Sequence, residues 1–476
     1  ENHRDVCLFR DGEGGHVLPE PAQAEDFTVV VRRGNPRGAP PLEVGDTAFR
    51  GLAGQLAETV RCRKTVLLEY SLGRERSYLW VVSPDRLASF ALPPAAGIEE
   101  SARRLYGLLT ERNRRPSGEA FAARQRRIDA ADRAGPAAAV ELGRRILPAG
   151  AIPPGARRLV VVAGGILQWI PFDVLPAPAT AGAPGRNATG GRLLDRCEVA
   201  YLPSATALRA RRGGPPANRA AGQVLAVFAD PVFSASDARV TGKDVRPVDV
   251  RPAGTDSPTM SRNASPSGDD RAGAAAGIEF PRLPFSRAEA DAIARLAPAG
   301  TVRESLDFQA SRPAALDPGI AGYAYIHFAT HGLLDAARPE RSGLVLSLVD
   351  ERGRPQDGIL RLADIYGLRL PARLVALSAC QTALGRDVRG EGLLSLTRGF
   401  MYAGAERVLA SVWKVDDEAT ARLMEEFYRR VLGPSKQPPA QALREARQAL
   451  RRQKRWSAPY FWAGFVLQGE WRGDRP

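Results

Sequence analysis

Apolar residues recur along this chain with two periods, and the strongest patterning lies in its last two-fifths. Short runs of β-branched and aliphatic residues, as in Leu159-Val160-Val161-Val162-Ala163, predict strands buried on both faces. The same reading applies to Glu198–Leu202, Val224–Phe228, Tyr325–His331, Gly343–Val349, Leu374–Cys380, Arg407–Val412 and Phe461–Leu467. Helical spacing predicts helices over Ala48–Thr59, Ala102–Thr110, Leu360–Tyr366, Leu393–Tyr402, Asp416–Leu432 and Gln441–Arg452. A longer one is expected over Ala120–Leu147 with a break near Pro136, because proline removes a ladder donor and crowds the preceding turn. Ser286 followed by Glu289 reads as a capping box opening a helix that runs to Leu296. Thr65–Tyr70 and Ser77–Ser83 read as two strands around Gly73.

Strands alternating with helices predict an α/β fold with a mainly parallel sheet covered on both faces. Residues 1–45 are polar and weakly patterned, and 46–144 form an accessory α/β region. A first half of the main domain spans 145–233, and the strongly patterned second half spans 283–476. Between them, 234–282 is rich in Ser, Asp, Arg, Gly and Pro and is expected to be a disordered linker or insertion. The Pro/Gly/Ala tracts near 176–192 and 210–222 read as loops. No repeat of fixed period is found.

Composition changes this picture little. The net charge of +14 suggests nucleic acid, yet lysine occurs only at 64, 243, 414, 436 and 454, and the arginine excess reads as the imprint of a GC-rich genome. No nucleic-acid-binding motif accompanies it, so direct binding through phosphates is not expected. No apolar stretch reaches the roughly 18–20 residues needed to span a bilayer. Glu1–Asp5 offer neither a signal peptide nor an initiator Met, so the chain is expected to be cytoplasmic and part of a longer protein. Without a signal, the sequons at Asn187 and Asn263 are taken as chance matches. Cys7, Cys62, Cys197 and Cys380 show no CxxC spacing, so neither a zinc ribbon nor a disulfide framework is indicated.

The candidate chemistry lies at two strand tips. His331 closes one apolar run and is followed by Gly332; Cys380 closes another. In open α/β sheets that edge is where ligands bind. A thiol of ordinary pKa about 8.5 gains reactivity beside a positive partner. A histidine shuttles protons near neutrality. The Gly332 amide, without a Cβ beside it, and the Cys380 amide could form an oxyanion hole, each donor worth roughly 3–4 kcal/mol. Each residue alone has a plainer reading, a buried small hydrophobe or a structural histidine, and the pattern leaves that reading open. A zinc pair of His327 and His331 is disfavoured because the segment is strand-like and has no third ligand, so neither a metal nor any other cofactor is expected. His327 reads instead as a satisfied interior histidine.

The stretches His327-Phe328-Ala329-Thr330-His331-Gly332 and Leu377-Ser378-Ala379-Cys380-Gln381-Thr382 resemble the CHAT domain, a caspase-like peptidase family related to separases. The likeness continues through Gly390-Glu391-Gly392-Leu393, Ser411–Thr420 and Pro459–Phe465, and upstream through Trp169–Leu175 and Tyr201–Thr206. It covers about residues 145–470. The resemblance implies a caspase-like α/β/α sandwich preceded by a degenerate, pseudo-caspase-like half, with His331 and Cys380 as catalytic dyad. It also implies a protein substrate and, in many members, a tetratricopeptide-repeat arm that binds a regulatory partner, which this sequence does not display. Ser378 and Thr382 depart from the caspase pattern Q-A-C-x-G, so Asp specificity does not carry over. Asp416 and Asp417 stand where related peptidases build the S1 pocket, and could favour a basic P1 residue; equally, they could simply cap a helix. The function expected is a cysteine endopeptidase in signalling or defence, with a catalytically silent interaction scaffold as the alternative.

Overall fold

The computed structural model describes the strands Val29–Arg32 and Leu42–Glu43, then residues 64–84, 86–178, 190–204, 222–242, 280–333, 342–378, 386–388, 392–394 and 396–471. The helix expected over Ala48–Thr59 lies outside the described residues, as does Cys380. The chain divides into two compact units. One comprises residues 1–216, 387–393 and 438–473, the other 217–386, 394–437 and 474–476.

In the first unit the strand order is Phe465–Gly469, Glu198–Leu202, Arg158–Val162, Thr65–Ser71, Ser77–Ser83, Arg86–Leu92, Val29–Arg32, Leu42–Glu43. The first four run parallel, and Thr65–Ser71, Ser77–Ser83 and Arg86–Leu92 form an antiparallel meander. The helices Ala95–Leu109 and Phe121–Ile146 pack together. The break expected near Pro136 is absent, and Phe121–Ile146 runs unbroken through it. The preceding residue is Gly135, which has no Cβ to collide with the proline ring, so the residue before the proline can stay helical.

The apolar motif Trp169–Leu175 is a connection through two 3-10 turns, Gly165–Trp169 and Phe172–Val174. It is locked by Tyr201, whose hydroxyl accepts from the Phe172 amide at 2.7 Å, and by Asp173. Asp173 is fully buried and lies 2.6 Å from the Nη1 of the equally buried Arg447, on the helix Pro439–Arg451. A second Arg447 nitrogen donates to the Phe465 carbonyl.

The second unit is a five-stranded parallel sheet in the order Val302–Leu306, Leu225–Ala229, Tyr325–Ala329, Leu374–Ser378, Arg407–Ser411. The last four of these strands are buried along their whole length. Successive side chains point to opposite faces of a sheet, and the two neighbours His327 and Phe328 show what covers each face. His327 meets Glu289 of the helix Pro284–Ala294 and Tyr428 of the helix Asp417–Leu432. Phe328 stacks on Phe228 at 4.9 Å and meets Phe400 of the helix Leu396–Ala403. The unit is therefore an α/β/α sandwich. His331–Leu333 does not prolong the main strand; it turns into a small antiparallel sheet with Gly343–Val345 and Ile359–Arg361.

Two expectations need correction here. Ser286 and Glu289 do not form a capping box. Pro284 takes the first helical turn, which moves the start of the helix upstream and leaves Glu289 free to turn inward. The stretch 234–282 is structured at both ends: Ala238–Thr241 is a short helix, and Phe280–Arg282 packs in the second unit.

Removing Asp173 strands a buried guanidinium. Asp173→Ala is expected to lower stability by about 3–5 kcal/mol, read as a shift in the urea midpoint. Paired replacement of Asp173 and Arg447 by apolar residues should recover much of that loss.

Candidate active site

The C-terminal edge of the second unit's sheet is set by register. Ala329 lies opposite Ser378, so the two central strands end level, and the Thr330 amide donates to the Ser378 carbonyl at 3.3 Å. Thr330 is fully buried, its hydroxyl bonded to the Val345 carbonyl. This anchor turns the chain into the small sheet and places His331 opposite Val345, with Gly332 opposite Leu344. Cys380 follows Ser378 by two positions, as His331 follows Ala329; its own placement is outside the described residues.

His331 is only 9% exposed. Its ring forms a triangular cluster with Phe233, at 5.1 Å, and Phe280, at 5.5 Å, whose own centroids are 6.0 Å apart. Nε2 is 2.7 Å from the Pro281 carbonyl. A carbonyl can only accept, so Nε2 carries the proton and the neutral ring keeps its lone pair on Nδ1. Burial holds the imidazole below its usual pKa, the Pro281 carbonyl works against that, and the charge of Lys414 adds to it.

His327 is the interior histidine the pattern suggested. Both its nitrogens are engaged, Nε2 with Glu289 at 2.8 Å and Nδ1 with the Tyr428 hydroxyl at 3.2 Å. This buried trio ties the His strand to both helices on that face.

The two acids proposed for S1 have separate tasks. Asp416 is the N-cap of Asp417–Leu432, its Oδ1 accepting from the Ala419 amide at 3.0 Å. Asp417 reaches the other helix, its Oδ2 accepting from the Phe285 amide at 3.0 Å. Its pKa is pushed up to about 7, first by burial and then by the charges of Glu289, Asp416 and Asp230, against the pull of the Phe285 amide. No cation pairs with it among the described residues.

Sequence reasoning missed Phe233, Phe280 and Pro281, all set at the ends of a polar tract read as linker. The signal available was the apolar Phe280-Pro281 pair closing that tract. In the first unit the described cysteine, Cys197, is buried, with its thiol pushed up to about 11 by burial. That environment makes it unreactive.

The CHAT domain family model matches residues 136–470. The chain belongs to the CHAT domain family. Tetratricopeptide repeat protein 28 of Mus musculus is 40% identical over 111 residues, which is 23% of this chain and 4% of that protein. Its Homo sapiens counterpart is 38% identical over 114 residues, 24% of this chain and 4% of that one. The CHAT chain thus spans a small fraction of these relatives. A separase–securin complex of Saccharomyces cerevisiae superposes with a TM-score of 0.51 at 9% identity, covering 90% of this chain and 31% of that one. The likeness is one of fold, and it agrees with the caspase-like sandwich of this CHAT domain. Among the described residues no helix is long and apolar enough to cross a membrane.

Asp417 gives a pH signature. Its carboxyl holds a proton in the fold up to about pH 7, but loses it near pH 4 when unfolded, so rising pH across that window favours unfolding. The Asp417 contribution to stability is expected to fall between pH 4 and 7, so in urea titrations across that range Asp417→Asn should differ from wild type in slope by close to one proton.

Proposed function

We propose that this CHAT domain is a cysteine peptidase acting on protein substrates through Cys380 and His331. The observation that carries the reading is the level ending of the two central strands, with each reactive residue following its strand by two positions. The fixed tautomer of His331 supports it. Nδ1 is the nitrogen able to take the thiol proton, while Nε2 stays on Pro281.

The chemistry then balances simply. The Cys380 sulfur attacks the scissile carbonyl carbon as its proton passes to Nδ1 of His331. The C–N bond breaks as the imidazolium returns that proton to the leaving amine, and water later cleaves the thioester. A pKa held down by burial makes the imidazolium a willing acid in that step. Amides of Gly332 and Cys380 are the proposed oxyanion donors. The class of partner is a protein: the yeast structure is a complex with securin, and both curated relatives are named for tetratricopeptide repeats.

Asp416 is committed to its cap, so Asp417 is the acid left to meet a basic P1 side chain. A positional peptide library reads this directly. Wild type is expected to prefer Arg or Lys at P1 by about tenfold over Gln, the size of one charge-assisted bond, and Asp417→Asn should lose the preference. Indifference to P1 charge in the wild type removes Asp417 from recognition.

The central test is cleavage by wild type against Cys380→Ala and His331→Ala. Both variants are expected to lose activity by at least about a thousandfold. Equal rates in all three would falsify the peptidase reading and leave an interaction scaffold.

A further inference from the structure

The Pro281 carbonyl that fixes His331 is itself held by a charge cluster with no part in the chemistry above. Asp230 follows the last residue of Leu225–Ala229, the strand that pairs with the His strand at Ala229↔Ala329. Its backbone is left-handed at φ 50°, and its side chain is completely buried. Arg282, the residue after Pro281, meets this carboxylate as a fork, Nε to Oδ1 at 2.8 Å and Nη2 to Oδ2 at 2.7 Å.

Arg239 braces the same acid. Its Nη1 is 3.2 Å from Oδ2 of Asp230 and bonds the Asp230 carbonyl at 2.6 Å. It also pairs with Asp237 at 2.8 Å and with Asp307 at 2.7 Å. Arg287 completes the set, 2.9 Å from Asp307 and 3.9 Å from Asp230. Arg282, Arg239 and Arg287 thus surround this buried carboxylate, and Arg239 and Arg287 are held in turn by Asp237, Asp307 and Asp291. A two-point guanidinium–carboxylate contact fixes a plane as well as a distance. The Pro281 carbonyl belongs to the peptide unit that ends at the Arg282 Cα, and the arginine stem ties that Cα to the fork. Downstream, the Phe285–Asp417 bond and the Ser286 hydroxyl on the Leu283 carbonyl pin the other side of the strap.

We propose that Asp230 and Arg282 are positioning residues for His331: their fork holds the Pro281 carbonyl on Nε2 and thereby sets the tautomer and proton affinity of the imidazole. Its meaning for rate rests on the peptidase reading; its effect on the ring does not. The carbonyl favours the protonated ring, whereas burial and Lys414, the charged group facing it, oppose that form; Phe233 and Phe280 carry no charge. Loosening the fork therefore moves the imidazole midpoint down, and the acid limb of kcat, along which protonation removes the base, moves down with it.

The test follows histidine ring protons by NMR titration in a Cys380→Ala background, where no turnover is needed. His331→Gln and His327→Gln assign the signals among the four histidines. Arg282→Ala is expected to lower the His331 midpoint by about half a pH unit or more, roughly a threefold loss of proton affinity. Arg282→Lys keeps the charge without the fork and should fall between, and it carries the same test if the alanine variant does not fold. In the Cys380 enzyme, Arg282→Ala should cost about tenfold or more in kcat with KM nearly unchanged. An unmoved His331 midpoint in a folded variant overturns the proposal, even if kcat falls, because Arg282 would then be merely structural. A midpoint that moves in a protein without cleavage activity upholds the positioning pair and defeats the peptidase reading instead.

Discussion

Parallel strands of equal length, paired end to end, deliver whatever follows them to one edge, and Ala329 opposite Ser378 fixes that edge here. Register in a fully buried sheet is not free to slip. A one-residue shift would exchange the faces of His327 and Phe328, driving an imidazole among Phe228 and Phe400 and parting it from Glu289 and Tyr428. The polar trio on one face and the aromatic stack on the other thus act together as a register lock. The position of His331 is a consequence of that lock.

Two of the buried charge clusters among the described residues of this CHAT domain bind segments distant in sequence. In the first unit, Asp173 and Arg447 join the turn after a central strand to a helix near the end of the described chain. In the second, Asp230 draws both ends of the 230–282 stretch to one point. Such pairs add little net stability over apolar packing, but breaking one side is costly, so they specify geometry more than they deepen the fold.

Much of this was legible in the sequence. The buried strands announced themselves as short aliphatic runs, and their alternation with helices gave the sandwich. The ends of two central strands followed from those runs, although the first stops at Ala329, and His331, read as its last residue, opens a separate small sheet. Local pattern failed where partners came from afar. Glu289 sits at a spacing that suits a capping box, yet its partner is 38 residues away on a strand. Pro136 looked like a helix break because the reading weighed the proline and not the glycine before it. The 234–282 tract has a linker's composition, and nothing local marks Arg282 as bound to an acid 52 residues earlier. Of the candidate site, the residue types were readable and the support around them was not.

The strand Phe465–Gly469 pairs with Glu198–Leu202, so the main sheet of the first unit draws its strands from two stretches separated by most of the second unit. A chain emerging from the ribosome meets this order as a delay. The second unit has all its strands once Ser411 is out, but the first must wait, its sheet short of a strand and Asp173 without Arg447, until about residue 469 has been made. During that interval the Glu198–Leu202 edge stands open to solvent and to other chains, and Asp173, buried in the finished fold, has no Arg447 to meet. The unit begun first is thereby the last to be completed, and its closure reports that synthesis has passed through the second unit.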